Sequence, residues 1–140
     1  MATIKSYTDL EQSKKLAEIL PLESADMYYW ADMYNWLAWS GGVSEEKRNT
    51  PKVGTPNNDA IKTYWCPCWS LASLLEQLPY ELCDDDGNSS YLQMNKEDDV
   101  YQLVYTDPHG DFESIETDRY EHFVDACYEL ILKLHELNLL

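Results

Sequence analysis

The clearest hydrophobic pattern of this chain lies near its C-terminal end. Apolar residues there alternate spacings of four and three, which places them on one face of a helix. These positions are Phe123, Cys127, Leu130, Leu134 and Leu137. Glu129 and Lys133 add an i,i+4 ion pair in the favoured order. The pattern predicts a helix over about 119–137.

Two shorter helices are predicted closer to the N-terminus. Thr8 and Glu11 match a capping box, and a partly helical apolar pattern follows until Pro21, which predicts a helix over about 9–20. Ser70 is a suitable N-cap for a second helix over 70–78, which Pro79 ends. Its apolar face consists of Leu71, Leu74, Leu75 and Leu78.

Strand-like runs fill the stretch between these helices. Residues 91–95, 100–105 and 112–115 are short and rich in β-branched, aromatic or apolar side chains, and turn-like segments separate them. Consecutive strands with short links predict an antiparallel meander. We therefore expect a single α+β domain over residues 1–140, in which a small antiparallel sheet of about three or more strands packs against two or three helices.

A near-duplication marks residues 25–39. The hexapeptide that starts at Ala25 is followed at once by a similar one that starts at Ala31. A six-residue period keeps equivalent side chains on one face of a strand, so we predict extended structure, although the Ala and Leu content favours a helix. A long irregular loop is predicted at about 41–63, where the chain is polar and carries Pro51, Gly54 and Pro56.

Charge narrows the function classes. The 140 residues carry 26 Asp and Glu against 10 Lys and Arg, a net charge of −16, and residues 81–121 alone hold 13 acidic and two basic residues. This excess argues against direct nucleic-acid binding and against docking on an anionic membrane. The acidic residues are either solvated turns or an acidic face for a basic partner protein. The candidate acidic face consists of Asp84, Asp85, Asp86, Glu97, Asp98 and Asp99.

The aromatic residues offer a second candidate surface. The chain has 11 Tyr and 5 Trp but only 2 Phe, and all five Trp fall within residues 28–69. They form either a partly hydrated core or a binding surface. The candidate binding residues are Trp30, Trp36, Trp39, Trp65, Trp69 and Tyr64. Nearby Lys47, Arg48, Lys52 and Lys62 would also suit a small, nucleotide-like anionic ligand.

The sequence contains only weak evidence for a metal site or a catalytic site. Cys66 and Cys68 are separated by one residue, closer than in usual zinc pairs, and Cys83 with a histidine would have to complete a site, so we expect no metal and no cofactor. The cluster Asp107, His109 and Asp111 is the one plausible catalytic group, but a turn explains it already. An enzyme is therefore the less favoured class.

The compartment is predicted from the N-terminus and the cysteines. The first residues have no apolar signal region, and no stretch approaches the length of a membrane-spanning helix. Reduced thiols in a cytoplasm are the better interpretation of the four cysteines. The apolar stripe that continues through Leu137, Leu139 and Leu140 suits a homodimer as well as a core, so the oligomeric state stays open.

Three segments, residues 7–27, 66–75 and 124–140, resemble an uncharacterised family of small proteins from gut bacteria and their phages and prophages. The resemblance implies a mobile-element accessory protein that acts inside a bacterial cell, and it assigns no functional residue. The resulting hypothesis is a non-enzymatic binding protein that occupies a host protein through its acidic face and Tyr/Trp-rich region, with counter-defence as one such role. The alternative is a small-ligand binding protein that uses the aromatic region.

Overall fold

The fold is described from a computed structural model, in which residues 5–29, 50–54, 66–110 and 113–140 are described. These residues form three α-helices and two antiparallel sheets, so the predicted α+β class is confirmed. The chain falls into two compact units. The N-terminal unit is Tyr7–Ser73, and the C-terminal unit is Leu74–Leu140 with the residues up to Ser6.

In the residues that the structure describes, the N-terminal unit contains one α-helix before Ser70, a short 3₁₀ helix and a small sheet. The order along the chain is α1 (Leu10–Ala17), a short 3₁₀ helix (Leu22–Ser24), β1 (Met27–Tyr29), β2 (Lys52–Val53) and β3 (Cys66–Cys68). β1 lies in the middle and pairs antiparallel with both β2 and β3. Tyr29, Cys66 and Cys68 form its buried centre, against which Leu10 and Met27 pack.

The cap of α1 differs from the predicted one by one residue. The Asp9 carboxylate accepts a hydrogen bond from the Gln12 amide at 2.8 Å, and the Gln12 side chain accepts one from the Asp9 amide at 3.1 Å. The capping box predicted for Thr8 and Glu11 is therefore wrong. The reason is that Thr8 is fully buried and its hydroxyl binds groups distant in sequence, which leaves the exposed Asp9 to cap the helix.

Two strands of this unit were not predicted. β3 coincides with Cys66-Pro67-Cys68, for which no strand was predicted, and β2 falls within the predicted loop at 41–63. Of residues 25–39, the described part includes β1 and is extended as predicted. The remainder, 30–39, lies outside the described residues, as do 41–49 and 55–63 of the predicted loop.

α2 (Leu71–Gln77) confirms the helix predicted over 70–78. The Ser70 hydroxyl accepts a hydrogen bond from the Ser73 amide at 3.2 Å, which is the N-cap contact expected from the sequence. The helix begins in the N-terminal unit and ends in the C-terminal unit.

After α2, the described residues of the C-terminal unit form a four-stranded meander with one long helix. Its elements are β4 (Glu81–Cys83), β5 (Ser89–Glu97), β6 (Val100–Thr106), β7 (Ile115–Glu116) and α3 (Phe123–Glu136). The strands are hydrogen-bonded in chain order, and each neighbouring pair is antiparallel. The predicted meander is thus confirmed, and it gains β4 as an additional edge strand.

α3 packs on the sheet through β6. Leu103 and Tyr105 of β6 are buried, as are Leu130 and Leu134 of α3. At the other end of the helix, the rings of Tyr101 and Phe123 stack with centroids 5.5 Å apart. This shared apolar layer forms the core of the unit.

The start of α3 differs from the predicted one by four residues. Tyr120 is held in extended backbone by paired hydrogen bonds with Tyr101, at 2.7 and 2.8 Å. The helix can therefore begin only after this bridge, at Phe123.

Candidate functional site

The first acidic cluster forms the turn between β4 and β5. The Asp84 carboxylate accepts hydrogen bonds from the Asn88 amide at 2.8 Å, the Asn88 side-chain nitrogen at 2.9 Å and the Asp86 amide at 3.0 Å. The Asn88 contacts hold the pKa of Asp84 below its usual value. Gly87 completes the turn with a φ of 82°, in the left-handed region that favours glycine. Asp84 therefore shapes the turn, whereas Asp85 and Asp86 project into solvent.

The second acidic cluster forms the turn between β5 and β6. Glu97 pairs with Val100 in the sheet, so Asp98 and Asp99 make a two-residue hairpin loop. Asp98 has a φ of 53°, a left-handed conformation that aspartate tolerates better than most residues. The Glu97 carboxylate lies 3.3 Å from the Arg119 guanidinium, and both side chains are exposed.

The two clusters lie at opposite ends of β5. The eight residue steps from Ser89 to Glu97 separate them by about 26 Å, at about 3.3 Å per step. Asp107 follows β6 at the same end as Asp84, because Thr106 pairs with Tyr91 near the start of β5. The six residues of the candidate acidic face are thus brought together as two separate groups of three, at the two ends of the sheet.

Cations are scarce around these turns. Within the described part of the chain, no basic side chain lies within ion-pair distance of the carboxylates of Asp85, Asp86, Asp98 or Asp99. Their negative charge is consequently open to a partner.

The turn between β6 and β7 contains His109. Its amide donates a hydrogen bond to the Asp107 carboxylate at 2.8 Å, and the Gly110 amide donates to the Asp107 carbonyl oxygen at 3.1 Å. This is the turn geometry predicted from Asp107, Pro108 and Gly110. The His109 side chain is exposed, and Asp111, the third member of the predicted catalytic cluster, lies outside the described residues.

Of the candidate aromatic residues, the structure describes Trp69 alone. Its side chain is fully buried, and its indole nitrogen donates a hydrogen bond to the Ser24 hydroxyl at 2.9 Å. Trp69 thus has a packing role in the N-terminal unit. The other predicted residues, Trp30, Trp36, Trp39, Tyr64 and Trp65, lie outside the described residues. The predicted aromatic surface, and the small-ligand alternative that depends on it, stay predictions.

A buried polar cluster organises the N-terminal unit instead. The Thr8 hydroxyl lies 2.7 Å from the Ser13 hydroxyl and accepts a hydrogen bond from the Trp69 amide at 3.2 Å. The Tyr29 hydroxyl donates to the Thr8 carbonyl oxygen at 2.7 Å, and the Cys68 thiol donates to the same oxygen at 3.4 Å. Burial raises the pKa of the Cys68 thiol, which keeps it protonated and poorly nucleophilic at neutral pH.

The candidate metal-ligating cysteines differ in exposure. Cys66 and Cys68 are buried on β3, whereas Cys83 is exposed at the end of β4. In the segments that the structure describes, no group of three or more His, Cys, Asp or Glu side chains is arranged to hold a metal ion. None of the helices among these segments is long and apolar enough to cross a membrane.

Comparison with known proteins gives no family for this chain. No protein-family model, curated protein sequence or solved structure matches it. Function must therefore be inferred from the geometry of the molecule itself.

Proposed function

We propose that this protein is a non-enzymatic binding protein that occupies a basic surface of another protein. The observation that carries the proposal is the pair of acidic turns at the two ends of β5. Each presents exposed carboxylates that no cation of the described residues neutralises: Asp85 and Asp86 at one end, Asp98 and Asp99 at the other. A basic protein surface is the complementary partner for such groups.

The spacing of the turns supports a contact at two points. About 26 Å separates them, which exceeds the screening length of about 8 Å at physiological salt. The two ends consequently act as independent electrostatic sites, and a partner with basic patches at a similar spacing would engage both. Residues 81–121 carry a net charge of −11, which would also speed the association with a basic partner.

The proposal includes a place of action. Resemblance to proteins of gut bacteria and their phages supports an accessory role in the bacterial cytoplasm, where occupation of a host protein would serve counter-defence. A host protein that normally binds nucleic acid would present the basic surface required. Nucleic acid itself is an unfavourable direct partner, because its phosphates would face the same exposed carboxylates.

The test is capture of partners from a nuclease-treated lysate of a gut bacterium on the immobilised protein. We expect one stoichiometric partner, held less tightly as salt rises. A variant that removes four turn carboxylates should bind this partner about fourfold more weakly or worse, since each exposed ion pair contributes about 0.2–1 kcal/mol. This variant is Asp85→Asn, Asp86→Asn, Asp98→Asn and Asp99→Asn.

A matched control changes four exposed carboxylates elsewhere and gives the same net charge. This control is Glu11→Gln, Glu18→Gln, Glu23→Gln and Glu76→Gln. It should retain the partner. Absence of a stoichiometric partner, or an equal loss in both variants, would contradict the proposal.

A further inference from the structure

An open groove lies in the C-terminal unit where α3 ends. Its volume is about 530 Å³, within the range of small ligand pockets. Both edges of the sheet contribute to it, through the residue after β4 and through β7 with the residues before it. Its lining combines carboxylates with aliphatic side chains, chiefly Asp84, Glu113, Ile115, Glu116, Leu137 and Leu139.

The aliphatic side of the groove is built by the end of α3. Asn138 is left-handed, with a φ of 58°, and its amide donates to the His135 carbonyl oxygen. The Leu139 amide donates to the Leu134 carbonyl oxygen at 2.8 Å. These two bonds define a Schellman motif, which turns the chain back and fixes Leu139 beside the helix. Leu137 stays 54% exposed, so the groove presents apolar surface to solvent.

The acidic side of the groove is open to a cation. Glu113 and Glu116 are exposed, and no basic side chain of the described segments lies within ion-pair distance of either carboxylate. Lys133 also lines the groove, but its ammonium group is held by the Glu129 carboxylate at 3.4 Å and by the Glu116 carbonyl oxygen at 2.6 Å. Both oxygens of Asp84 are occupied by its turn, so Glu113 and Glu116 are the carboxylates available to a ligand.

We propose that this groove binds an extended protein segment in which a lysine or arginine stands beside an aliphatic side chain. The inference rests on the proposed function and names the part of the partner that docks. Charge complementarity selects the cation, and the surface formed by Ile115, Leu137 and Leu139 selects the aliphatic neighbour. A second copy of the chain is a poor occupant, because each copy carries a net charge of −16.

The test uses a fluorescent peptide. Two leucines and two arginines alternate in its centre, and glycines flank them on both sides. We expect it to bind the full chain and to shift the amide resonances of Glu116 and Leu139. Two control peptides should bind at least about threefold more weakly, one with serine in place of leucine and one with glutamate in place of arginine. If the serine peptide bound as tightly as the leucine peptide, the groove would not recognise an aliphatic side chain. This result would overturn the proposal.

Variants of the chain locate the contact. Glu113→Gln with Glu116→Gln should weaken peptide binding about three- to tenfold. Leu137→Ser should also weaken binding, and its exposed position spares the fold. Glu11→Gln with Glu23→Gln makes the same charge change at two exposed side chains of the N-terminal unit that do not line the groove, and it should leave binding unchanged. Equal losses in the two double variants would show unspecific attraction and overturn the proposal.

Two other occupants are distinguished in the same experiment. Spermidine that displaces the peptide at equal concentration would assign the groove to small cations. A dimer seen by light scattering and lost in Leu137→Ser would assign it to a second copy. Either result overturns the proposal.

The proposal for the groove and the proposed function of the protein can be rejected separately. Failure of the peptide, together with capture of a partner that depends on the turn carboxylates, would reject the groove alone. Peptide binding without any captured partner would reject the proposed function alone.

Discussion

Thr8→Val should destabilise the N-terminal unit more than Thr8→Ser does, although valine has the shape of threonine. The Thr8 hydroxyl is the centre of a buried polar cluster, 2.7 Å from the Ser13 hydroxyl and 3.2 Å from the Trp69 amide nitrogen. Thr8, Ser13 and Trp69 are all fully buried. Valine would leave a buried amide and a buried hydroxyl without this partner, whereas serine would keep the oxygen.

The magnitudes follow from these contacts. A buried polar group without its partner costs about 1–3 kcal/mol. Thr8→Val takes this partner away from two buried groups, the Trp69 amide and the Ser13 hydroxyl. We therefore expect a loss of about 2–3 kcal/mol for Thr8→Val. Thr8→Ser removes one buried methyl group and should cost about 1 kcal/mol.

Urea unfolding, monitored by tryptophan fluorescence, measures both losses. Adding Ser13→Ala to Thr8→Val should recover about 1 kcal/mol, because the orphaned hydroxyl is removed with its partner, so the two substitutions should be clearly non-additive. The reasoning is refuted if Thr8→Val costs no more than Thr8→Ser, or if the double variant is additive.

Substitutions at three further residues and one labelling experiment test other features. Ser90 is fully buried and its hydroxyl has no hydrogen-bond partner among the described residues, so Ser90→Ala should raise the free energy of unfolding by about 1 kcal/mol; a loss of stability would show an unrecognised partner. Asn138→Gly should preserve stability, since glycine adopts the left-handed C-terminal position of α3 without strain, whereas Asn138→Ala should cost about 1 kcal/mol in thermal melts. Thiol labelling should modify Cys83 fast and the three buried cysteines slowly, because burial raises the pKa of Cys127 to about 12; four equal rates would contradict this assignment. Burial opposes ionisation of Asp26, but hydrogen bonds from the Ser70 hydroxyl and amide outweigh it and lower the pKa of Asp26 below the usual 3.8. Its contribution to stability is therefore present above about pH 4 and lost as the pH falls through the lowered folded value, and Asp26→Asn should flatten this part of the pH profile.

Local pattern was enough to predict the helices and the long strands. The stripe of α3 spans four turns and fixes one buried face, and β5 and β6 are long enough to show strand composition. The turns between them were predictable for the same reason, because Asp, Pro and Gly have specific turn positions. The predicted bounds were wrong where the end of an element depends on contacts with residues distant in sequence. α3 starts late because Tyr120 pairs with Tyr101, a contact that no local pattern reveals.

Short strands were missed for a related reason. β3 is Cys-Pro-Cys, and it is a strand because β1 lies beside it. β4 has three residues and pairs with the start of β5. The groove was also missed, since it joins Glu113 and Glu116 to Leu137 and Leu139 across the fold. The signal that pointed toward it was the apolar stripe that continues past the end of α3.

Turn chemistry accounts for only part of the acidity of the two turns. Asp84 holds the first turn through Asn88, and Asp98 occupies the left-handed position of the second. Asp85, Asp86 and Asp99 have neither role, and no cation of the described residues compensates them. A turn that needed only solubility would not require three consecutive acidic residues, which repel one another. These surplus carboxylates are therefore the residues that a function has to explain, and a basic partner explains them because its charges would relieve the repulsion on binding.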